Sequence, residues 1–198
     1  MMTEIPVAGS PYRFYPLTPE RWADFEKLFG PRGACAGCWC MFWRLAMKEY
    51  RQGQGEPNKR AMKTLVESGK RPGILAYDRE RAVGWCSLAP RTEFPRFETT
   101  RTLKPVDDRP VWSIVCLFVA KEYRRHGLSG ELLKAAVSFA AGEGAEIVEG
   151  YPRTKPEGVN LFDLFIYTGI FSAFERAGFS EVQRPTPIRV IARFYIER

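Results

Sequence analysis

A nearly continuous apolar run in the middle of the chain predicts a buried strand. Residues 111–119 read Val-Trp-Ser-Ile-Val-Cys-Leu-Phe-Val and are rich in β-branched side chains. A run of this kind is typical of a central strand that is covered on both faces. A helical stripe follows at once, formed by Leu128, Leu132, Val137 and Ala140. The pattern therefore predicts a central strand, a short turn and an amphipathic helix in succession.

Helical patterns dominate the first third of the chain. Residues 12–17 have a short strand-like pattern, and Thr18 followed by Pro19 supplies an N-cap and a proline at the first helical position. The first predicted helix has an apolar stripe made of Trp22, Phe25 and Phe29. The second has a stripe made of Trp39, Phe42, Trp43, Ala46, Met47 and Tyr50, and a third helix is predicted over residues 57–68.

The remaining patterns are mainly strands. Residues 73–77 and 82–88 flank a polar turn and predict a hairpin. Residues 89–110 contain four prolines and many charges, and predict an irregular excursion over the surface. The last predicted elements are a strand at 145–150, a helix at 163–177 and strands at 180–184 and 188–196.

The turn between the central strand and its helix has the chemistry of an anion site. The N–H groups of a helix N-terminus have no helical partners and point to where an anion binds. Arg124 and Arg125 add planar guanidinium groups that match phosphate oxygens. Too few glycines are present for a dinucleotide fingerprint, and the Gly-Lys-Ser/Thr of a Walker loop is missing. The turn therefore predicts a cradle for a pyrophosphate.

This turn resembles the acyl-CoA-binding motif of the GNAT superfamily of N-acyltransferases, Arg/Gln-x-x-Gly-x-Gly/Ala. Ser129 stands where the last glycine or alanine usually falls, and the whole motif here is Arg124-Arg125-His126-Gly127-Leu128-Ser129. The segment from Phe174 to Phe179 also resembles the Tyr-x-x-x-Gly-Phe ending of a later family helix. The resemblance is strong over 111–180, weaker over 70–90, and rests on element order alone over 18–68.

The resemblance implies an α/β (α+β) fold, with a mixed, mostly antiparallel central sheet, flanking helices and a splayed central strand. It implies one GNAT-like domain over residues 1–198, with a helical substrate-wall region at 18–68 and an acyl-CoA-binding core at 111–180. The expected activity is direct transfer of an acetyl group from acetyl-CoA, the cosubstrate, to a primary amine, without a metal. The alternative is an acyl-CoA-binding sensor or partner module without turnover. It is motivated by Phe174, which has no proton to give and stands where the family usually has a proton-donating tyrosine.

The resemblance also assigns the cofactor contacts. The backbone of the central strand is expected to pair with the pantetheine arm, and the turn with the pyrophosphate. The residues concerned are Leu117, Phe118 and Val119 in the strand, and Arg124, Arg125, His126, Gly127, Leu128, Ser129 and Gly130 in the turn.

Tyr167 and Glu149 are the candidate catalytic residues. Tyr167 precedes Phe174 by two helical turns, so in a helix over 163–177 both would share a face, and Tyr167 could protonate the leaving thiolate. Glu149, at the end of the predicted 145–150 strand, is the best-placed acid for a general base. The simpler interpretations are a packed tyrosine with its hydroxyl in water, and a surface carboxylate.

Trp39, Phe42 and Trp43 lie where the family builds its substrate wall, and favour an apolar or aromatic acceptor. The alternative is that they belong only to the core. Cys35, Cys38 and Cys40 could suggest a zinc or redox site, but no second Cys/His pair completes four zinc ligands. A helix entrance with small residues is the simpler interpretation, and Cys86 and Cys116 are expected to be buried thiols.

Composition narrows the remaining classes. The chain has 198 residues, 45% of them hydrophobic, a net charge of +7, one histidine and five cysteines. The basic residues are interleaved with acids, and the need to attract a cofactor polyanion explains some of the positive charge. A basic nucleic-acid-binding protein is a second alternative to the enzyme. We expect a cytoplasmic protein, because no secretory signal or membrane-span pattern is evident. The expected partners are acyl-CoA and a small-molecule or peptide amine, without nucleic acid or membrane, while homodimerisation stays open.

Overall fold

The computed structural model describes residues 4–154 and 167–197, and this part of the chain is organised around a seven-stranded sheet. The strand order is β1-β2-β3-β4-β5-β7-β6. Among the seven strands of the described residues, β4 and β5 alone pair in parallel, so the expected mixed and mostly antiparallel sheet is confirmed. The strands are β1 Arg13–Pro16, β2 Gly73–Asp78, β3 Arg81–Pro90, β4 Trp112–Val119, β5 Ile147–Gly150, β6 Ser180–Thr186 and β7 Arg189–Tyr195.

Helices cover both faces of the sheet. Helices α5 and α6 pack on one face through a mainly aliphatic cluster that includes four buried phenylalanines, whereas α1 and α3 cover the other with an aromatic cluster around Trp85. None of the helices in the described ranges is long and apolar enough to cross a membrane. The helices are α1 Trp22–Phe29, α2 Met47–Gln52, α3 Glu56–Glu67, α4 Arg96–Thr99, α5 Leu128–Gly142 and α6 Phe171–Arg176.

The second predicted helix is wrong over its first half. Trp39 and Cys40 have φ angles of +42° and +57°, which a right-handed helix does not contain. Residues 39–45 instead form successive turns, and Ala46 is extended, so α2 begins only at Met47. Of the predicted stripe, Trp39, Trp43 and Tyr50 are buried and Phe42 is half-buried, whereas Ala46 and Met47 are exposed, so the spacing reported burial only in part and did not reflect a helix.

The segment 89–110 is more than a surface excursion. It contains a 3-10 turn at Arg91–Glu93 and the short α4, contrary to the prediction that it has no regular element. Phe94, Phe97 and Leu103 are buried in a third apolar cluster that also contains Tyr151. The sequence pattern did not predict that the segment contributes to the core, because charged residues flank these apolar side chains.

The central strand parts from its parallel neighbour after three residue pairs. β4 pairs with β5 only from Trp112 to Ile114, although its pairing with β3 continues to Val119. An irregularity in the β3–β4 register falls next to the last of these pairs, where Ser87 opposes Cys116 and Leu88 opposes Ile114. From residue 115 onward the edge of β4 that faces β5 is therefore open, as expected for a splayed central strand.

Phe174 fills the space where β5 ends. Its side chain is fully buried, and a Cβ atom at Gly150 would lie 2.2 Å from the Phe174 Cε1 atom. A Cβ atom at Gly169 would lie 2.6 Å from the Cε2 atom on the opposite side of the same ring. Two glycines thus admit this ring beside the open edge of β4.

The last helix is shorter than predicted. It begins at Phe171, Tyr167 lies in the turn before it, and residues 163–166 of the predicted helix lie outside the described residues. The chain from Gly169 to Phe171 instead pairs with Arg153, through Arg153 N–H to Gly169 and Phe171 N–H to Arg153. Tyr167 and Phe174 therefore do not share a helical face.

Replacing Gly150 with alanine should destabilise the protein by about 1–3 kcal/mol, because the new methyl group overlaps a buried ring. Gly142→Ala is the matched control, since Gly142 lies in α5 and a Cβ atom there meets nothing within 4 Å. We expect that control to change the free energy of unfolding by no more than about 0.5 kcal/mol. Urea unfolding measures both, and equal stabilities for the two variants would contradict the packing described for Phe174.

Candidate active site

The open edge of β4 presents the peptide groups of alternate residues. Ala120 donates its N–H to Val83 of β3, so Phe118, two residues earlier, also directs its peptide groups toward β3. Leu117 and Val119 direct theirs to the open edge. The Leu117 N–H donates to the Tyr167 carbonyl at 2.6 Å, and the Val119 carbonyl accepts from Arg124 Nε at 3.1 Å. Of the three predicted strand contacts, Leu117 and Val119 are the two whose backbone faces this edge.

Residues 124–130, called the cradle below, connect this edge to α5. Arg125 and Gly127 have φ angles of +66° and +81°, and α5 begins at Leu128 without a side-chain cap. Within the described residues, none of the N–H groups from Arg125 to Ser129 donates a hydrogen bond, whereas Gly130 donates to Gly127. A run of free amides in such a turn is an anion-binding arrangement.

The surroundings of the cradle leave room for a ligand. Leu128 is buried and anchors the start of α5 in the core, while Arg124, Arg125 and His126 are exposed. A Cβ atom at Gly127 or Gly130 would meet nothing within 4 Å. Main-chain donors and guanidinium groups therefore share one open surface next to the end of β4.

Tyr167 lies beside the open edge, although not on the predicted helix. Its ring is 6.2 Å from that of Phe42 in an edge-to-face arrangement, and its carbonyl accepts the Leu117 N–H. Burial, with a smaller contribution from Cys116, raises the pKa of Tyr167 to about 12, against an opposing effect of Arg189. The hydroxyl is consequently protonated at neutral pH, as a hydrogen-bond or proton donor must be.

Glu149 is buried, so the interpretation as a surface carboxylate is wrong. It is 1% exposed, and its oxygens accept from Arg193 Nε at 2.7 Å, Arg91 Nη1 at 3.2 Å and the Tyr151 hydroxyl at 2.8 Å. Arg193 in turn donates to both oxygens of Asp107. A general base must reach the proton that it removes, and these three donors already occupy the Glu149 carboxylate. The carboxylate thus joins β5, β7 and the 89–110 segment.

The three aromatic residues of the predicted wall occupy different environments. Trp39 is 3% exposed and stacks on Phe29 at 5.7 Å within the aromatic cluster of the core. Trp43 is buried against Phe97 at 4.7 Å, and its indole lies close enough to the Tyr167 hydroxyl to lower the pKa of that hydroxyl. Phe42 is half-buried and contacts Tyr167. Among these three, Phe42 is therefore the side chain with exposed surface next to Tyr167.

Two arginines near Tyr167 were not identified from the sequence. The Arg96 guanidinium lies 3.9 Å from the centre of the Phe42 ring. Arg189 Nη1 donates to the Thr168 hydroxyl at 2.8 Å and to the Tyr151 carbonyl at 2.5 Å. They come from α4 and the start of β7, so no local spacing relates them to Tyr167. Only the fold brings these segments together.

The cysteines lie in and around the core. The Cys40 thiol accepts from the Trp85 indole at 3.0 Å, and its hydrogen bond with Cys116 and its burial raise its pKa. Burial also raises the pKa of Cys38 to about 11. These two thiols are thus protonated at neutral pH and are poor nucleophiles. Across residues 4–154 and 167–197, no group of three or more His, Cys, Asp or Glu side chains is arranged to hold a metal ion.

Comparison with known proteins identifies the family of this chain. A model of the acetyltransferase (GNAT) family matches residues 39–153, which is more than half of the chain. The chain belongs to this family. No match is found among curated protein sequences.

Solved structures share the fold at low sequence identity. PaiA N-acetyltransferase from Thermoplasma acidophilum, in complex with coenzyme A, is 12% identical, with a TM-score of 0.52 and coverage of 93% of this chain and 99% of that one. A GNAT-family acetyltransferase from Listeria monocytogenes is 10% identical, with a TM-score of 0.55 and coverage of 98% and 100%. A chain of the NatC complex bound to Gag peptide and CoA is 12% identical, with a TM-score of 0.52 and coverage of 94% and 99%.

Gly127→Leu should weaken CoA binding by about tenfold or more, a loss of about 1.4 kcal/mol. The φ angle of +81° is unfavourable for an L side chain, and the added atoms would enter the space in front of the cradle amides. Gly144→Leu is the matched control, because Gly144 has a φ of +84° and equally open surroundings beyond the other end of α5. Calorimetric titration with CoA should separate them, and unchanged affinity in Gly127→Leu would argue against the cradle as the pyrophosphate site.

Proposed function

We propose that this protein is an N-acetyltransferase that passes an acetyl group from acetyl-CoA directly to a primary amine. The observation that carries the proposal is the open edge of β4 leading into the unpaired amides of the cradle. This arrangement offers a linear path for an extended thioester carrier, with its diphosphate at the start of α5 and its pantetheine arm along Leu117 and Val119. Family membership and the CoA complexes of proteins with the same fold support it.

The reaction needs few groups beyond this path. The amine nitrogen attacks the thioester carbonyl, a C–N bond forms, the C–S bond breaks, and the sulfur leaves with the electron pair. Leu117 already donates its N–H to the Tyr167 carbonyl, so a carrier carbonyl that pairs with Leu117 exchanges for that bond. Such a backbone donor is also the type of group that stabilises a developing oxyanion.

Tyr167 is the proposed donor to the leaving sulfur. Its hydroxyl is protonated, and its peptide group is hydrogen-bonded to the open edge, whereas the buried Phe174 has no proton to give. The proton of the incoming ammonium leaves through water, because the Glu149 carboxylate is occupied by its three donors. In this proposal Glu149 therefore positions β5 and β7 and is not the base.

The proposal is tested by incubating the protein with acetyl-CoA and a panel of primary amines while CoA release and the acetylated product are measured. Turnover with stoichiometric product supports an acetyltransferase. Tight CoA binding without turnover of any amine would instead favour the sensor or partner module. Failure to bind CoA or acetyl-CoA at all would overturn both functions.

Tyr167→Phe should lower kcat by about 100-fold, the lower end of the usual effect of a general acid. CoA affinity should not change, because the peptide carbonyl that accepts from Leu117 is retained. Tyr195→Phe is the control, since Tyr195 is exposed on β7. Steady-state kinetics with the best amine measure both variants, and an undiminished kcat in Tyr167→Phe would exclude the hydroxyl as the donor.

A further inference from the structure

Two positively charged side chains flank Tyr167 on the acceptor side of the open edge. Arg96 reaches it through Phe42, whose ring lies 3.9 Å below the guanidinium and 6.2 Å from the Tyr167 ring. Arg189 reaches it through the next residue, Thr168, to which it donates a hydrogen bond of 2.8 Å. Both guanidinium groups act electrostatically on the Tyr167 hydroxyl. A short chain of contacts thus joins two cations across the proposed site of transfer.

Neither cation has an acidic partner in the described ranges. The contacts of Arg96 there are with Phe42 and with Met47 Sδ at 3.4 Å, and the hydrogen bonds of Arg189 go to a hydroxyl and a carbonyl. Burial lowers the pKa of both side chains, and for Arg189 the neighbouring Arg153 adds to the decrease. A partly buried charge without a counter-ion is unfavourable unless a ligand supplies one.

Other arginines of this fold are paired differently. Arg44 lies 3.1 Å from Glu93, Arg91 lies 3.2 Å from Glu149, and Arg193 lies 2.7 Å from Glu149. The fold therefore supplies acids to these three side chains, whereas Arg96 and Arg189 have none among the residues that the structure describes. The buried indole of Trp43, next to Phe42, lies beside the same Tyr167 hydroxyl and lowers its pKa.

We infer that the acceptor is an amino acid, or a similar small amine bearing a carboxylate, and that Arg96 and Arg189 bind this carboxylate. The inference rests on the proposed function. The thioester end of the carrier is uncharged and its phosphates belong at the cradle, so the acceptor must bring the anion. A planar guanidinium matches a carboxylate in geometry and charge. The half-buried Phe42 ring offers an apolar contact for the remainder of the acceptor.

The first test changes the acceptor and leaves the protein intact. L-amino acids are compared with their carboxamides, which keep the amine and side chain and lose only the negative charge. We expect kcat/KM to be roughly tenfold to hundredfold higher for the acids, the range for one hydrogen bond to a charged group. Equal or better acetylation of the carboxamides would overturn the inference while leaving the acetyltransferase activity established. A preference for phosphorylated amines such as O-phosphoethanolamine would overturn the carboxylate assignment.

The second test changes the arginines. Arg96→Met and Arg189→Met should each raise KM for amino acids about tenfold or more, with KM for carboxamides and the affinity for CoA unchanged. Arg189→Lys should recover part of the loss, because it restores the charge. Arg184→Met is the control, since Arg184 lies on the adjacent β6 and is paired with Glu181. Equal effects on acids and carboxamides would count against a carboxylate site.

Folding of the variants and substrate binding without turnover are assessed separately. Arg189 also holds the backbone at Tyr151, so if Arg189→Met does not fold, Arg96→Met, which breaks no such backbone contact, decides the outcome. Calorimetric binding of amino acids to the CoA-loaded protein does not depend on turnover. Binding that is lost in Arg96→Met would support the carboxylate site even if no amine is acetylated, and absence of binding to the wild type would overturn it.

Discussion

The separation of β4 from β5 is the constraint on which the rest of this structure depends. Pairing stops after Ile114, and the ring of Phe174 lies against Gly150 and Gly169 where the neighbouring strand ends. Because β5 does not cover this edge of β4, the Leu117 N–H and the Val119 carbonyl bond to the Tyr167 carbonyl and the Arg124 side chain instead of to a strand. A fully paired sheet of the same sequence would leave no strand edge uncovered by β5 next to the cradle. The motifs and element order that the chain shares with its family depend on this gap for any role in binding a carrier.

The buried charges around Glu149 form a second constraint on the structure. Glu149 is held by two arginines and a tyrosine, so the carboxylate that seemed suited to catalysis joins β5, β7 and the 89–110 segment. Removing one partner of such a group leaves a buried charge uncompensated, which is costly. Arg96 and Arg189, by contrast, have no acidic partner within residues 4–154 and 167–197.

Much of the architecture could be predicted from the sequence, because the central strand, α5 and the cradle are contiguous and their patterns are local. The hairpin and α3 were predicted for the same reason. The helix over residues 39–46 failed because aromatic spacing reports burial, whereas the positive φ angles at Trp39 and Cys40 depend on the surrounding core. Arg96 and Arg189 could not be related to Tyr167, because segments distant along the chain meet there only in the folded protein. Glu149 was found, but its environment depends on Arg91 and Arg193 from other elements.

The hydrogen bond from Leu117 to Tyr167 has a consequence for the order of events. Tyr167, whose carbonyl accepts this bond, is followed by Thr168, whose hydroxyl accepts from Arg189. Two consecutive residues therefore link the edge of β4, where the carrier is proposed to bind, to the arginine proposed to bind the acceptor. In the proposed function, a carrier arm that takes the Leu117 N–H releases the Tyr167 peptide and thereby shifts Arg189, the arginine proposed to bind the carboxylate. Binding of one substrate would then affect binding of the other through a single peptide unit. Such a linkage favours a sequential kinetic order in which the thioester binds first.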